Sequence, residues 1–154
     1  MGEVIKVGTK VEDYTFKTQY DKEIKLSDFK GKKVLLSFHP LAWTGICANQ
    51  MSALENNYDK LKELNTVPLG LSIDSIYTKK AWGEHLGIEK LLMPADFWPH
   101  GDFAQKMGIF REEDGFSERA NIILDEEGKV IFAKVYEIGD LPDLNEILDF
   151  LKDN

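Results

Sequence analysis

The sequence predicts an α/β fold with a central mixed β-sheet flanked by helices. Two observations carry this reading. Apolar runs at residues 33–39 and 69–73 are each followed by a segment with helical spacing of apolar residues, and a hairpin signal at 120–135 precedes a closing amphipathic helix. Successive strand–helix units place their strands parallel with a right-handed crossover, and the hairpin then adds antiparallel strands to the sheet.

Residues 11–26 alternate apolar and polar side chains around Gln19-Tyr20-Asp21-Lys22-Glu23, which predicts an N-terminal hairpin packed at the edge of the sheet. Ser27-Asp28-Phe29 with Gly31 reads as a brief helical turn. The stretch Lys33-Val34-Leu35-Leu36-Ser37-Phe38 is a buried strand stopped by Pro40, and a helix runs from 45 to 65 until Val67-Pro68 breaks it. A second strand over 69–73 ends in Asp74-Ser75, polar residues suited to cap a helix over 77–86. Residues 91–94 read as a short strand, and 103–107 as a helix closed by Gly108.

Ala120 to Leu124 and Lys129 to Val135 flank Asp125-Glu126-Glu127-Gly128, the hairpin signal. Leu144, Ile147, Leu148 and Leu151, spaced by three and four, define the amphipathic helix over 141–151. With the N-terminal hairpin and the insertion before the last hairpin, this order describes a thioredoxin-like fold. No repeat, low-complexity stretch or linker interrupts the chain, so one domain over 1–154 is expected.

A chain of 154 residues with 43% hydrophobic content, including 9 Phe, 5 Tyr and 3 Trp, supplies a sizeable core without disulfides or metals. Its net charge of −8, with Lys and Arg scattered among acids, opposes nucleic acid and anionic membrane as partners. The N-terminus lacks the apolar core of a signal peptide, and no run is long enough to span a bilayer. Lys6 occupies the place where myristoylation of Gly2 needs Ser or Thr. A lone cysteine excludes an intrachain disulfide, and together these features predict a cytoplasmic protein.

That cysteine is also the candidate for chemistry. Pro40, Thr44 and Cys47 stand at the spacing P-x3-T-x2-C across a strand-to-helix junction, which places Cys47 on the first turn of the helix. Unpaired backbone N–H groups and the positive end of the helix dipole favour an anion there, and the thiolate is the nucleophilic form of a thiol. Attack on an O–O bond needs an ionised sulfur, donors that polarise the peroxide and stabilisation of the departing oxygen. Thr44 carries a hydroxyl that donates and accepts, suited to bridge sulfur and peroxide. Pro40 fixes the chain direction and shields the sulfur from water.

This motif in this fold resembles the active-site motif of the peroxiredoxins, thiol peroxidases that reduce hydroperoxides through one cysteine. The fuller string Pro40-Leu41-Ala42-Trp43-Thr44-Gly45-Ile46-Cys47, with Asp96-Phe97-Trp98-Pro99-His100-Gly101 downstream, resembles the one-cysteine alkyl hydroperoxide reductase E branch. The resemblance covers nearly the whole chain and implies the same roles for Cys47, Thr44 and Pro40. It also implies an arginine just before the hairpin strand that follows the middle helix, and Arg119 occupies that place. A guanidinium stays charged and presents a planar fork of donors, able to hold thiolate and peroxide together. Arg111, the other arginine, reads as a surface residue in the loop after Phe110. Where the family often has Glu three residues after the cysteine, hydrogen-bonded to that arginine, this chain has Gln50. An amide still accepts the bond, with a different local charge balance.

The implied reaction uses no cofactor: Cys47 reduces hydrogen peroxide or an organic hydroperoxide, becomes a sulfenic acid, and returns to thiol through an external reductant. That reductant is a thioredoxin- or glutaredoxin-like protein or a low-molecular-weight thiol, because no resolving cysteine is present. A redox sensor that passes its oxidation to a partner is the second reading; thioredoxin-type disulfide exchange would need two cysteines. A lone cysteine can equally be an inert buried hydrophobe, and the motif with Arg119 outweighs that reading. His39 reads as a packing or surface residue, and His85 and His100 lack metal-ligand spacing, so no metal site is expected. Trp43, Trp82, Phe97 and Trp98 fit a pocket for an organic peroxide, the core, or the contacts of a homodimer.

Overall fold

The computed structural model describes residues 3–154. Its centre is a four-stranded sheet of β3 (Lys33–Phe38), β4 (Thr66–Leu71), β7 (Arg119–Leu124) and β8 (Val130–Tyr136), in the order β4-β3-β7-β8. β3 and β4 are parallel, while β7 is antiparallel to both β3 and β8, giving the mixed sheet of a thioredoxin-like fold. The central strands β3 and β7 are buried along their whole length, which is why both read as nearly continuous apolar runs.

Alternation along β3 divides the core. Val34, Leu36 and Phe38 join Leu69, Leu71, Ile122 and Leu124 on one face, together with Phe103 of α4 (Asp102–Lys106) and Met107 just after it. Leu35 and Ile123 face the other way. There they meet Met51 and Leu54 of α1 (Gly45–Asn56), Leu61 of α2 (Tyr58–Glu63), Trp82 of α3 (Ile76–Leu86) and Ile147, Leu148 and Leu151 of α5 (Leu144–Lys152). Gly70 in β4 lets α1 approach closely, since a Cβ there would overlap Met51 Sδ.

Several boundaries differ from the sequence reading, each for a local reason. The helix expected over 45–65 is two helices, because Asn57 leaves helical geometry at φ −110° and ψ 15°, a turn held by its N–H and its Nδ2 both donating to Ala53 O, at 3.1 and 2.8 Å. The second strand is Thr66–Leu71 rather than 69–73, and so contains Pro68. β4 is an edge strand, and Gly70 N–H points outward to Leu92 O at 3.0 Å; Pro68, two residues earlier, lacks an N–H on that same outer side.

Residues 91–94 form no strand. Leu92 and Ala95 make isolated bridges, and Gln19 takes the place of a neighbouring strand, accepting from Met93 N and donating to Leu91 O. The hairpin β1 (Thr15–Lys17) and β2 (Glu23–Lys25) is a separate two-stranded sheet. It joins the β4 side of the central sheet as expected, through Ala95, which bridges to Lys17 and to Ser72, and it packs Phe16 edge-on to Phe103 at 4.9 Å. A 3-10 helix, Leu26–Phe29, follows as expected.

The last helix begins at Leu144 rather than at 141, since Pro142 disfavours helical geometry at Leu141 and Asp143 caps the helix by accepting from Asn145 N. A small hairpin of β5 (Phe110–Arg111) and β6 (Phe116–Ser117), absent from the sequence reading, leads into β7. Among the described residues no helix is long and apolar enough to cross a membrane.

Candidate active site

β3 ends at Phe38, the chain turns through residues 39–44, and α1 starts at Gly45, so Cys47 occupies the third helical position. Thr44 is the N-cap, extended at φ −116° and ψ 153°, yet its hydroxyl does not cap; it donates to Leu41 O at 2.8 Å. The N–H groups of the first turn therefore keep their donor capacity at the helix end. Trp43 just before has φ 67°, a left-handed backbone uncommon for a bulky residue, at the tip of the turn.

Cys47 is 1% exposed. Arg119, the first residue of β7, reaches it from the neighbouring strand, with Nη1 3.3 Å from Sγ. The same Nη1 donates to Gln50 Oε1 at 2.8 Å, while Nε and Nη2 both donate to Ile138 O at 3.0 and 2.9 Å. The guanidinium is thus held from two sides with one edge turned to the sulfur. Gln50 in turn donates from Nε2 to Ser37 Oγ at 2.8 Å and Phe38 O at 3.1 Å. Its amide orientation follows from its partners, since arginine only donates and a carbonyl only accepts.

The structure brings Cys47 and Arg119 together, and Pro40 is buried at the end of the strand as its placement implies. Thr44 lies on the same turn but is exposed, and among the described hydrogen bonds its hydroxyl meets Leu41 rather than Cys47. The Ile138 clamp had no sequence signal, because a backbone carbonyl carries no residue signature. Gln50 was singled out through the family resemblance, which implies a partner for the arginine three residues after the cysteine; its bonds to Ser37 and Phe38 depend on how α1 packs on β3.

The AhpC/TSA family profile matches residues 7–133, a span that contains Cys47, Gln50 and Arg119. The chain belongs to the AhpC/TSA family. Alkyl hydroperoxide reductase E of Mycobacterium tuberculosis (strain ATCC 25618 / H37Rv) is 32% identical over 141 residues, covering 91% of this chain and 92% of the relative. Among solved structures, AhpC of Enterococcus faecalis superposes with a TM-score of 0.89 at 26% identity, over 96% of this chain and 90% of the other. AhpC of Mycobacterium tuberculosis gives 0.89 at 20% identity, over 98% of each chain, a likeness of fold. As an AhpC/TSA peroxiredoxin with a single cysteine, the protein is a thiol peroxidase, an oxidoreductase acting on peroxide with a thiol partner.

The other side chains singled out in the sequence separate clearly in this AhpC/TSA fold. Arg111 lies in the short strand β5 rather than in a loop, half-buried and ion-paired to Asp114 at 2.7 Å and Glu118 at 3.2 Å. His39 is fully buried with its ring 5.2 Å from Trp82. Desolvation, reinforced by the charges of Lys79 and Arg119, holds it well below the usual histidine range and hence neutral. His85 packs beside Trp43, and His100 Nε2 lies 2.6 Å from Gly115 O. Trp82 belongs to the core, whereas Trp43, Phe97 and Trp98 are exposed.

Proposed function

We propose that Cys47 is the peroxidatic nucleophile of a one-cysteine mechanism, with Arg119 as its fixed cation. The observation that carries this reading is the 3.3 Å approach of Arg119 Nη1 to the sulfur of the single cysteine, by a guanidinium already anchored on Gln50 and Ile138. Positive charge held in place lowers the cost of a thiolate and of the charge that develops on the peroxide oxygens. Thr44, whose hydroxyl proton is engaged by Leu41 O, has lone pairs free to accept from a hydroperoxide O–H. Pro40 walls the sulfur from water.

In the first step Cys47 S⁻ attacks the distal oxygen of ROOH, the O–O bond breaks and RO⁻ leaves, taking a proton to become alcohol or water. Cys47 is oxidised to sulfenic acid. An external thiol then forms a mixed disulfide with release of water, and a second thiol restores Cys47. Hydrogen peroxide and small organic hydroperoxides are the substrates, and a thioredoxin- or glutaredoxin-like protein or a small thiol is the reductant. A Cys47–Cys47 bridge between two chains is disfavoured by the burial of Cys47, a residue 1% exposed. The whole chain acts as one domain in a reducing cytoplasm, paired as a homodimer through its exposed aromatic loops.

Mass spectrometry after one equivalent of peroxide, followed by steady-state consumption with excess thiol, tests the mechanism. A sulfenic acid on Cys47, a mixed disulfide with the added thiol, sustained turnover and loss of all three in Cys47→Ser are expected. Excess peroxide without thiol adds two oxygens to Cys47 as sulfinic acid. A single burst without sustained consumption, or a predominant disulfide-linked dimer, overturns it.

A further inference from the structure

Lys79 lies in α3, away from the P-x3-T-x2-C motif, and is fully buried at 0% exposure. A buried lysine is unusual unless it is paired, because removing an ammonium from water costs several kcal/mol (roughly). Its partners connect it to the cysteine loop. Lys79 Nζ donates to Ser72 Oγ at 2.6 Å, Ser72 Oγ donates to Asp74 Oδ2 at 2.7 Å, and the same carboxylate oxygen accepts from Ala42 N at 2.8 Å. Ala42 lies between Pro40 and Thr44, so a polar chain runs from the inner face of α3 to the backbone that presents the candidate nucleophile.

We propose that Lys79 is a positioning residue of the peroxidatic site: through Ser72 and Asp74 it anchors the cysteine loop at Ala42, and its buried ammonium adds a second positive charge to that of Arg119 near Cys47.

The charges around it set the sign of the effect. Asp74 after β4, Cys47 on α1 and Asp96 before α4 favour the ammonium, in that order. Burial opposes them and dominates, bringing Lys79 down to about 7. His39 at the end of β3 faces both Lys79 and Arg119 and stays neutral, so it neither screens nor repels them as a charge. The ammonium is therefore present on the acid side of neutrality and lost on the alkaline side. A thiolate populates in the opposite direction, so the two requirements together produce a bell-shaped dependence of the oxidation rate on pH.

The inference rests on the peroxidase reading. Its test is the rate of Cys47 oxidation by hydrogen peroxide, followed from mildly acidic to mildly alkaline pH in wild type and in Lys79→Met, with the melting temperature of each. The wild type should slow on the alkaline side. Lys79→Met should be slower by about tenfold at neutral pH, the size of one partly screened charge, and should lose the alkaline fall. A lysine that merely supported the fold would lower the melting temperature and leave the shape of the profile alone.

A folded Lys79→Met with the wild-type rate and profile overturns the proposal, as does a wild type with no alkaline fall. If Lys79→Met does not fold, Ser72→Ala decides. It keeps the lysine and breaks the link to Asp74, so the rate should drop, and Ser72→Thr should restore it; an unchanged rate in Ser72→Ala overturns the anchoring role. A wild type that does not consume peroxide refutes the peroxidase reading, whereas an active wild type with an indifferent Lys79→Met refutes the lysine alone.

Discussion

Gln50 satisfies an arginine and a backbone carbonyl with one planar group. Its Oε1 accepts from Arg119, and its Nε2 donates to Ser37 Oγ and Phe38 O, all within buried surroundings. Gln50→Leu, close in volume but apolar, would leave Phe38 O without that donor and free one side of the guanidinium. The expected cost is about 1–3 kcal/mol for the unsatisfied groups, read as a lower urea midpoint with an unchanged slope, and a slower reaction with peroxide because Arg119 is less firmly aimed. Arg119→Ala removes the cation itself. Its rate constant with hydrogen peroxide should fall by about 10²–10³, as expected for a lost donor at a charge-developing centre. A stopped-flow rate within twofold of wild type would show that the guanidinium at Cys47 serves packing alone.

At the scale of elements, helix ends do much of the work of placing the site. α3 opens with Ser75, whose Oγ accepts from Thr78 N at 3.2 Å, and closes on Gly87 at φ 74°, so the helix that carries Lys79 and Trp82 is defined at both ends. Ser75→Ala should lower thermal stability by about 1 kcal/mol, measured by calorimetry. The short helix α4 is held by Asp96, whose two oxygens accept from Phe103 N and Ala104 N at 2.9 Å each. Burial outweighs those two bonds and pushes Asp96 up to about 6.

The sign of the resulting stability change follows from that rise. A carboxyl whose folded value lies above its unfolded 3.8 contributes stability that is fully present below about pH 4 and is lost as pH rises through about 6. The difference between wild type and Asp96→Asn should therefore shift against wild type by about 2–3 kcal/mol across that window, and then stay flat. Urea titrations at several pH values measure it; a difference independent of pH would mean that Asp96 is not perturbed.

For the molecule as a whole, the exposed aromatic residues are the feature that folding does not explain. Trp98 is 82% exposed and Tyr77 77%, with Trp43 and Phe97 about half exposed, on the loops at 43 and 97–99 and the first turn of α3, where the homodimer contact is proposed. Aromatic side chains in such numbers outside a core favour burial against a second copy, each contributing through area rather than specific bonds. Sedimentation should give a dimer at micromolar concentration, and Trp98→Ala should shift it toward monomer. A wild-type monomer at that concentration would remove the support for this interface.

The linear pattern alone determined the sheet and the candidate nucleophile. Strand and helix periods mark β3, β7, β8 and α5, and the proline, threonine and cysteine at one junction mark the site, because these signals lie within a few residues of each other. Boundaries that depend on partners were not legible. Asn57 splits a helix by leaving helical geometry with its side chain on Ala53 O, and Pro68 is tolerated in a strand only because that strand lies at an edge with the missing N–H turned outward. The hold on Arg119 by Ile138, the seat of Gln50 on β3 and the path from Lys79 to Ala42 belong to tertiary structure alone. They join groups 19, 12 or 13, and more than 30 residues apart along the chain, and such pairings exist only once strands and helices have packed. Local periodicity encodes which face of an element is apolar; which polar groups end up facing each other inside is decided by how those faces are stacked.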